Sequence, residues 1–77
     1  EGATGTVEVC KLNSGEGIEP ENEQNGILAV YVAQGSAWYG NQLLEEGTMI
    51  SSEEVGKLSL RAEGEDGCCL ICVRVQL

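Results

Sequence analysis

The four cysteines are the side chains of this sequence that could most readily act as nucleophiles or metal ligands, because the chain contains no histidine. Cys68, Cys69 and Cys72 fall in an alternating β pattern, where neighbours point to opposite faces and cannot readily ligate one ion together. Cys68 and Cys72 share a face but stand about 13 Å apart along a strand, too far for a disulfide. Cys10 could pair with a C-terminal cysteine if the first and last strands are adjacent. We expect the four cysteines to be small, buried, apolar side chains of a protein in a reducing, cytoplasmic compartment.

Nucleophilic and acid–base catalysis find little support in the residue types. Without histidine, a Ser-His or Cys-His pair is impossible, and a cysteine nucleophile would need activation by a cation. Only Cys72, two positions before Arg74, has such a neighbour on its predicted face, and alternation produces such pairs by coincidence. The paired glutamates at 45–46 and 53–54 fall in predicted turns, where they are solvated. The sequence therefore predicts no catalytic residue and, lacking a glycine-rich phosphate loop with a lysine, no cofactor site.

Length and charge restrict the partners. The 77 residues suit one small domain, and 13 acidic against 4 basic residues give a net charge of −9. That charge repels phosphate backbones and anionic lipids, so we expect neither nucleic acid nor membrane as a partner. The acidic segment 16–25 is predicted to be a solvated loop rather than a cation site. The chain begins with Glu1 rather than Met, so we expect a processed product, an expressed fragment or a piece of a longer chain.

The elements that must position these residues are strands. Eleven glycines and one proline separate short alternating or β-branched runs, which is typical of an all-β chain. We predict strands at 6–12, 26–34, 36–39, 41–44, 48–50, 57–63 and 68–77. The run 26–34 is almost continuously apolar, which predicts a strand covered on both faces. At 51–58 a capping pattern allows at most one helical turn before Gly56.

Two strands have predicted core faces. Leu58 and Leu60 are expected to point inward from 57–63. In the last strand the better core candidates are the five residues of one alternating face: Cys69, Ile71, Val73, Val75 and Leu77. Gly40 and Asn41 are expected to form a tight hairpin turn, since both tolerate the positive φ of primed turns.

Trp38 is the candidate interface residue. Alternation from Ala37 places Tyr39 inward and Trp38 outward, and an indole favours interfaces over water. A subunit or domain contact is the preferred interpretation. A loop covering Trp38, or a shifted register that buries it, is the alternative.

The stretch YVAQGSAWYGNQLLEEGTMI resembles the central hairpin of cupin barrels, with Gly35, Gly40-Asn41 and Glu46-Gly47 at the turns and Thr48 where the family usually has aspartate. Residues 57–77 are similar to the last two strands, closest to the C-terminal cupin domains of pirin-like and quercetinase-like proteins. The resemblance covers about residues 6–76. It implies a small antiparallel β-barrel or jelly roll, a double-stranded β-helix, as a single domain over 1–77.

The metal motif of that family is not preserved here. Anchored on Gly35, its glutamate position falls on Leu28 and its histidine positions on Asn22 and Gln24, or on Glu21 and Glu23 with the longer spacing. A second motif anchored on Gly47 would place its histidine near Leu58. We therefore expect no metal.

Together these observations favour a non-catalytic, metal-free binding or assembly domain. Its default partner is a second copy, as a homodimer, or the remainder of a longer chain. The alternative is a cupin that binds a small molecule, a sugar or an aromatic acid, as the resemblance to C-terminal barrels of phosphomannose isomerases implies. Its pocket would be lined by Leu28, Val30, Tyr39, Met49, Leu58 and Leu60. An enzymatic metal-dependent cupin would require carboxylates or cysteines in place of every histidine.

Overall fold

The computed structural model describes residues 4–76, all of whose regular structure is β. The strands are β1 (Thr4–Leu12), β2 (Gly17–Ile18), β3 (Glu21–Asn22), β4 (Gly26–Tyr39), β5 (Gln42–Leu44), β6 (Met49–Ser52), β7 (Gly56–Lys57) and β8 (Leu60–Gln76). Every strand pairing is antiparallel. The predicted all-β, antiparallel fold class is confirmed. Within 4–76 no helix forms, and thus none that could cross a membrane.

Two long strands organise the molecule. The main sheet has the order β1-β8-β4-β5, with β2 also paired to β8 and β6 also paired to β4. A second sheet joins β3 to β7. β4 and β8 each combine two segments that the sequence predicted as separate strands, and they pair with each other along nearly their whole length. The first and last strands of the chain, β1 and β8, are adjacent.

The long pair β4–β8 bends where its register shifts. One shift lies between Val32 and Gln34, and a second lies between Gly35 and Ser36. Gly35 and Gly67 have φ of +79° and +73°, a conformation that side chains with a Cβ rarely adopt. A Cβ on Gly35 would stand 2.5 Å from the carbonyl oxygen of Gly67, so the two backbones meet at this corner without room for side chains. Glycine at these two positions is what lets one strand pair continue through the bend.

The predicted hairpin joins β4 to β5. Tyr39 pairs with Gln42 across a two-residue turn, and Trp38 pairs with Leu43, which confirms the predicted arms. Gly40 adopts a positive φ of +60°, whereas Asn41 does not. A positive φ at the first turn residue alone is the pattern of a type II′ turn, one of the primed turns, so the predicted hairpin turn at Gly40 and Asn41 is confirmed.

The buried apolar residues form one cluster on the inner face of the sheet. Its members are Leu12, Leu28, Val30, Val32, Ala37, Leu44, Leu58, Leu60, Ala62, Cys68, Leu70 and Cys72, with Cys10, Ile18, Tyr39 and Ile50 packed against it. Leu58 and Leu60 point inward as predicted. Because β4 and β8 supply alternate residues from both ends, this core spans the bend.

Two predictions about the core are wrong. The inner face of β8 carries Cys68, Leu70 and Cys72, not the Cys69 face, whose members are half-buried on the outer side; Leu77 lies outside the described residues. Both faces of this strand are apolar, so alternation alone could not choose between them. The run 26–34 is covered on one face only, since Tyr31 is exposed on the other.

The acidic segment 16–25 is more ordered than the predicted loop. It contains β2 and β3, and it buries Pro20 and Asn22 while its glutamates remain exposed. The backbone of Leu58 donates a hydrogen bond to the Pro20 carbonyl, and Ala62 donates one to Glu16. These contacts attach the segment to the start of β8.

Candidate functional site

The six predicted pocket residues do not lie on one surface. Leu28, Val30, Leu58 and Leu60 belong to the buried core, and Tyr39 packs against it. Met49 pairs with Tyr31 on the opposite, outer face of the sheet, where its side chain is exposed. The structure thus brings five of the six together and separates Met49 from them. The small-molecule site built on these residues stays a prediction.

The positions of the cupin metal motif lie in different environments. Leu28 and Leu58, at the glutamate and second-motif positions, are core side chains. Glu21, Glu23 and Gln24 are exposed. Within 4–76, no three Cys, Asp or Glu side chains are grouped closely enough to hold a metal ion. These positions therefore supply hydrocarbon and solvated carboxylates rather than a converging set of ligands.

Asn22 is the one polar side chain buried among residues 4–76. Sequence reasoning gave it no role beyond a missing histidine. It is 4% exposed. The two N–H groups of its Nδ2 serve three backbone carbonyl oxygens, those of Gly26 at 3.0 Å, Ser52 at 3.1 Å and Glu54 at 2.9 Å, so one N–H is shared between two acceptors. One amide group thereby ties the turn before β4 to the end of β6. No local signal could have revealed this, because two acceptors lie about thirty residues away in sequence.

The cysteines divide between the two faces of β8. Cys68 and Cys72 are buried, Cys69 is half-buried on the outer side, and all four described thiols are free. Cys72 neighbours Cys10 of the adjacent strand, because Cys10 pairs with Leu70 and both thiols face the core. Cys10 therefore does lie beside a C-terminal cysteine, as adjacency of the first and last strands predicted.

The buried thiols are held in their protonated form. Burial, followed by the neighbouring Cys10 thiol, raises the pKa of Cys72 to about 11, although Arg74 acts in the opposite direction. Burial, and then Cys69, also raises the pKa of Cys68 above its ordinary value. A nucleophilic cysteine requires the thiolate, so this arrangement is that of core side chains.

Trp38 lies on the outer side of β4, between Leu43 of β5 and Arg61 of β8. Its inward neighbours are Ala37, which is buried, and Tyr39. Trp38 itself is half-buried and borders a surface hollow with Gly40, Ser59 and Arg61. The predicted interface residue thus lies on the surface. Its role in a subunit or domain contact stays a prediction.

Comparison with known proteins yields a likeness of fold. No protein-family model matches the chain, and no curated protein matches it in sequence. Among solved structures it is similar to a de novo designed double-stranded β-helix determined by solution NMR, with a TM-score of 0.59 over 99% of this chain and 97% of that chain. At 15% identity this likeness shows the fold alone, which is a double-stranded β-helix.

Proposed function

We propose that this chain is a non-catalytic, metal-free, cupin-like domain that works by assembly, with a second copy or with the remainder of a longer chain. The observation that carries the proposal is the filled interior. The centre of the β-helix is occupied by Leu28, Val30, Val32, Leu60 and Leu70, all at most 1% exposed.

The residues at the cupin ligand positions support a structural role. Asn22 uses its amide nitrogen on three backbone carbonyls, and Leu28 packs in the core. Placing a metal at the same positions would require breaking the Asn22 contacts and bringing an ion against hydrocarbon. The pirin-like and quercetinase-like resemblance, in which a C-terminal barrel has a structural or modulatory role, agrees with this proposal.

Trp38 is the candidate contact for such a partner. It is the only tryptophan of the chain, so its fluorescence reports on its own surface. When a partner binds and covers Trp38, we expect its fluorescence emission to shift to the blue, because the indole leaves water.

Three measurements test the proposal. Purified full-length chain is analysed for bound transition metals, screened by thermal shift against sugars and aromatic acids, and examined by sedimentation for its mass. Absence of stoichiometric metal, together with flat thermal shifts and self-association, is the expected result. A metal at one equivalent would overturn it. So would a ligand that stabilises the chain by about 2.7 kcal/mol at 100 times its Kd.

A further inference from the structure

The outer face of the main sheet carries an apolar surface that the core does not use. Residues directly opposite on neighbouring antiparallel strands lie on the same face, so the registers of β1, β8, β4 and β6 define rows across it. The rows are Gly5–Val75–Ile27, then Val7–Val73–Ala29–Ser51, then Val9–Ile71–Tyr31–Met49. We call these eleven residues the outer face. Their side chains are apolar apart from the Ser51 hydroxyl and the Tyr31 phenol.

The outer face is most open to solvent on its flanking strands β1 and β6 and at Tyr31 of β4. Val7, Val9 and Met49 are 69%, 58% and 64% exposed, and Tyr31 is 40% exposed. A fully exposed aromatic side chain presents roughly 150–250 Å² and a valine less, so at roughly 100 Å² each these four partly exposed side chains present about 400 Å². With the half-buried members the patch reaches about 600 Å², the upper end for a monomer's largest apolar patch.

The charge pattern narrows the possible occupant. The chain carries 13 carboxylates, yet none stands in the three rows, and the next row contributes Lys11 at its corner beside Cys69 and Gln34. Within the three rows, a cationic partner surface would find no carboxylate and an anionic one would find no cation. The occupant that fits is itself apolar and uncharged over a similar area. The outer face of a second copy has these properties.

The area agrees with a two-fold dimer. Two outer faces packed on each other would bury about 1,200 Å² in total, which is the lower limit for specific interfaces. Sheets pack face to face at about 10 Å with their strands about 30° apart, so apolar rows of one copy can interdigitate with those of the other. Because buried area does not fix affinity and the two copies repel each other, we expect a weak dimer whose population depends on concentration.

We infer that a second copy of this chain docks on the outer face, with Val7, Val9, Tyr31 and Met49 at the contact. This inference rests on the proposed assembly function and names the surface that the homodimer uses. Trp38 lies outside the three rows and is left for another contact, such as the remainder of a longer chain.

Sedimentation equilibrium of the full chain from 5 to 500 µM, in reducing buffer, tests the inference. The wild type becomes dimeric between about 5 and 500 µM chain. It dimerises more tightly at 0.5 M than at 0.05 M salt, because salt screens the repulsion between copies. Val9→Lys, and independently Val7→Lys, weaken association about 100-fold, since each places two ammonium groups in an apolar interface. Both positions are exposed in one copy, so circular dichroism and thermal melting remain those of the wild type at concentrations where the wild type is monomeric.

Two matched variants control for charge and for the Trp38 surface. Val55→Lys introduces the same change at a 65% exposed valine between β6 and β7 and leaves the dimer intact. Leu43→Lys, beside Trp38, also leaves the dimer intact. In the wild type, the Trp38 emission does not shift between 5 and 500 µM. A dimer that survives Val9→Lys but is lost with Leu43→Lys overturns this inference and leaves the assembly proposal in place. A chain that stays monomeric at 500 µM overturns the homodimer, while the metal and ligand measurements separately decide the proposed function.

Discussion

Replacing Asn22 by aspartate changes one atom of the buried amide from a donor to an acceptor. In the wild type, Nδ2 donates to the carbonyl oxygens of Gly26, Ser52 and Glu54 within 3.1 Å. In the variant a carboxylate oxygen faces the same three oxygens in a site that is 4% exposed. Every contact that joined the turn before β4 to the end of β6 becomes repulsive. We therefore expect Asn22→Asp to be among the most destabilising isosteric changes in the chain.

The magnitude follows from the three contacts and the burial. A neutral hydrogen bond contributes about 1 kcal/mol net, and an unsatisfied buried partner adds about 1–3 kcal/mol, so Asn22→Leu should cost about 2–4 kcal/mol. Asn22→Asp should cost about 4 kcal/mol at pH 8, because a charge is buried as well. That is a large part of the roughly 4–12 kcal/mol expected for a domain of this size.

The aspartate variant should also acquire a pH dependence that the leucine variant lacks. Burial and the facing carbonyls raise the pKa of the new carboxyl in the folded state. A raised folded-state pKa means that the native form binds the proton more tightly, so stability is complete at low pH and is lost as pH rises through that pKa. We expect Asn22→Asp to regain about half of its loss at pH 5, since a protonated carboxyl offers one donor.

Urea unfolding followed by circular dichroism at pH 5 and pH 8, under reducing conditions, measures both effects. Asn25→Asp is the matched control, because it makes the same change three residues away in the same turn at an exposed side chain. It should shift the free energy of unfolding by less than about 0.5 kcal/mol. If Asn22→Asp is no less stable than Asn25→Asp at pH 8, the amide does not hold the turn, and the reasoning is refuted.

Three further perturbations test the core and the bend. Gly67→Ala should cost about 2–4 kcal/mol in urea unfolding, because the new Cβ meets the Leu12 carbonyl oxygen at a φ of +73°, whereas Gly64→Ala, at +88° with open space around it, should cost only about 1 kcal/mol. Equal losses would show that the collision at Gly67 is relieved. Leu70→Ala should cost about 2–5 kcal/mol and lower the Tm, since its side chain is fully buried; a loss under 1 kcal/mol would contradict the packing. The pKa of Cys72 is raised from 9.0 to about 11 in the folded state, so the stability linked to its protonated thiol is complete below pH 9.0 and is lost as the pH rises toward about 11. Unfolding titrations should show a loss on the order of 2 kcal/mol. Cys72→Ala should flatten that decline, and an unchanged decline would assign it to other groups.

Much of the scaffold was predictable from local patterns. Alternating runs between glycines gave the antiparallel strands, the positions of Gly35 and Gly40 indicated a corner and a hairpin, and the outward position of Trp38 followed from alternation. These features depend on backbone geometry within a few residues. Glycine permits the positive φ that a turn or corner needs, and the two-residue period of a strand sets which side chains share a face.

The candidate site was predictable only in part. The absence of histidine ruled out the usual cupin ligands at once, and Leu28 and Leu58 were correctly expected to offer hydrocarbon. The grouping of Met49 with the inner residues failed, because pairing with Tyr31 places it on the outer face. Which face a short strand turns inward depends on its register with a neighbour, which is not encoded in the strand itself.

The sequence by itself determined the β class and the turn positions, and its net charge and lack of histidine set the expectations about partners and chemistry. Tertiary structure decided which of two apolar faces of β8 is the core, and gave Asn22 its three distant acceptors. It also left the other face of β8 on the surface, joined to Val9 and Tyr31. The physical reason is the same in each case. Alternation and composition are local, whereas burial depends on the registers between strands, which are fixed only when the long pair β4–β8 bends and closes around one core.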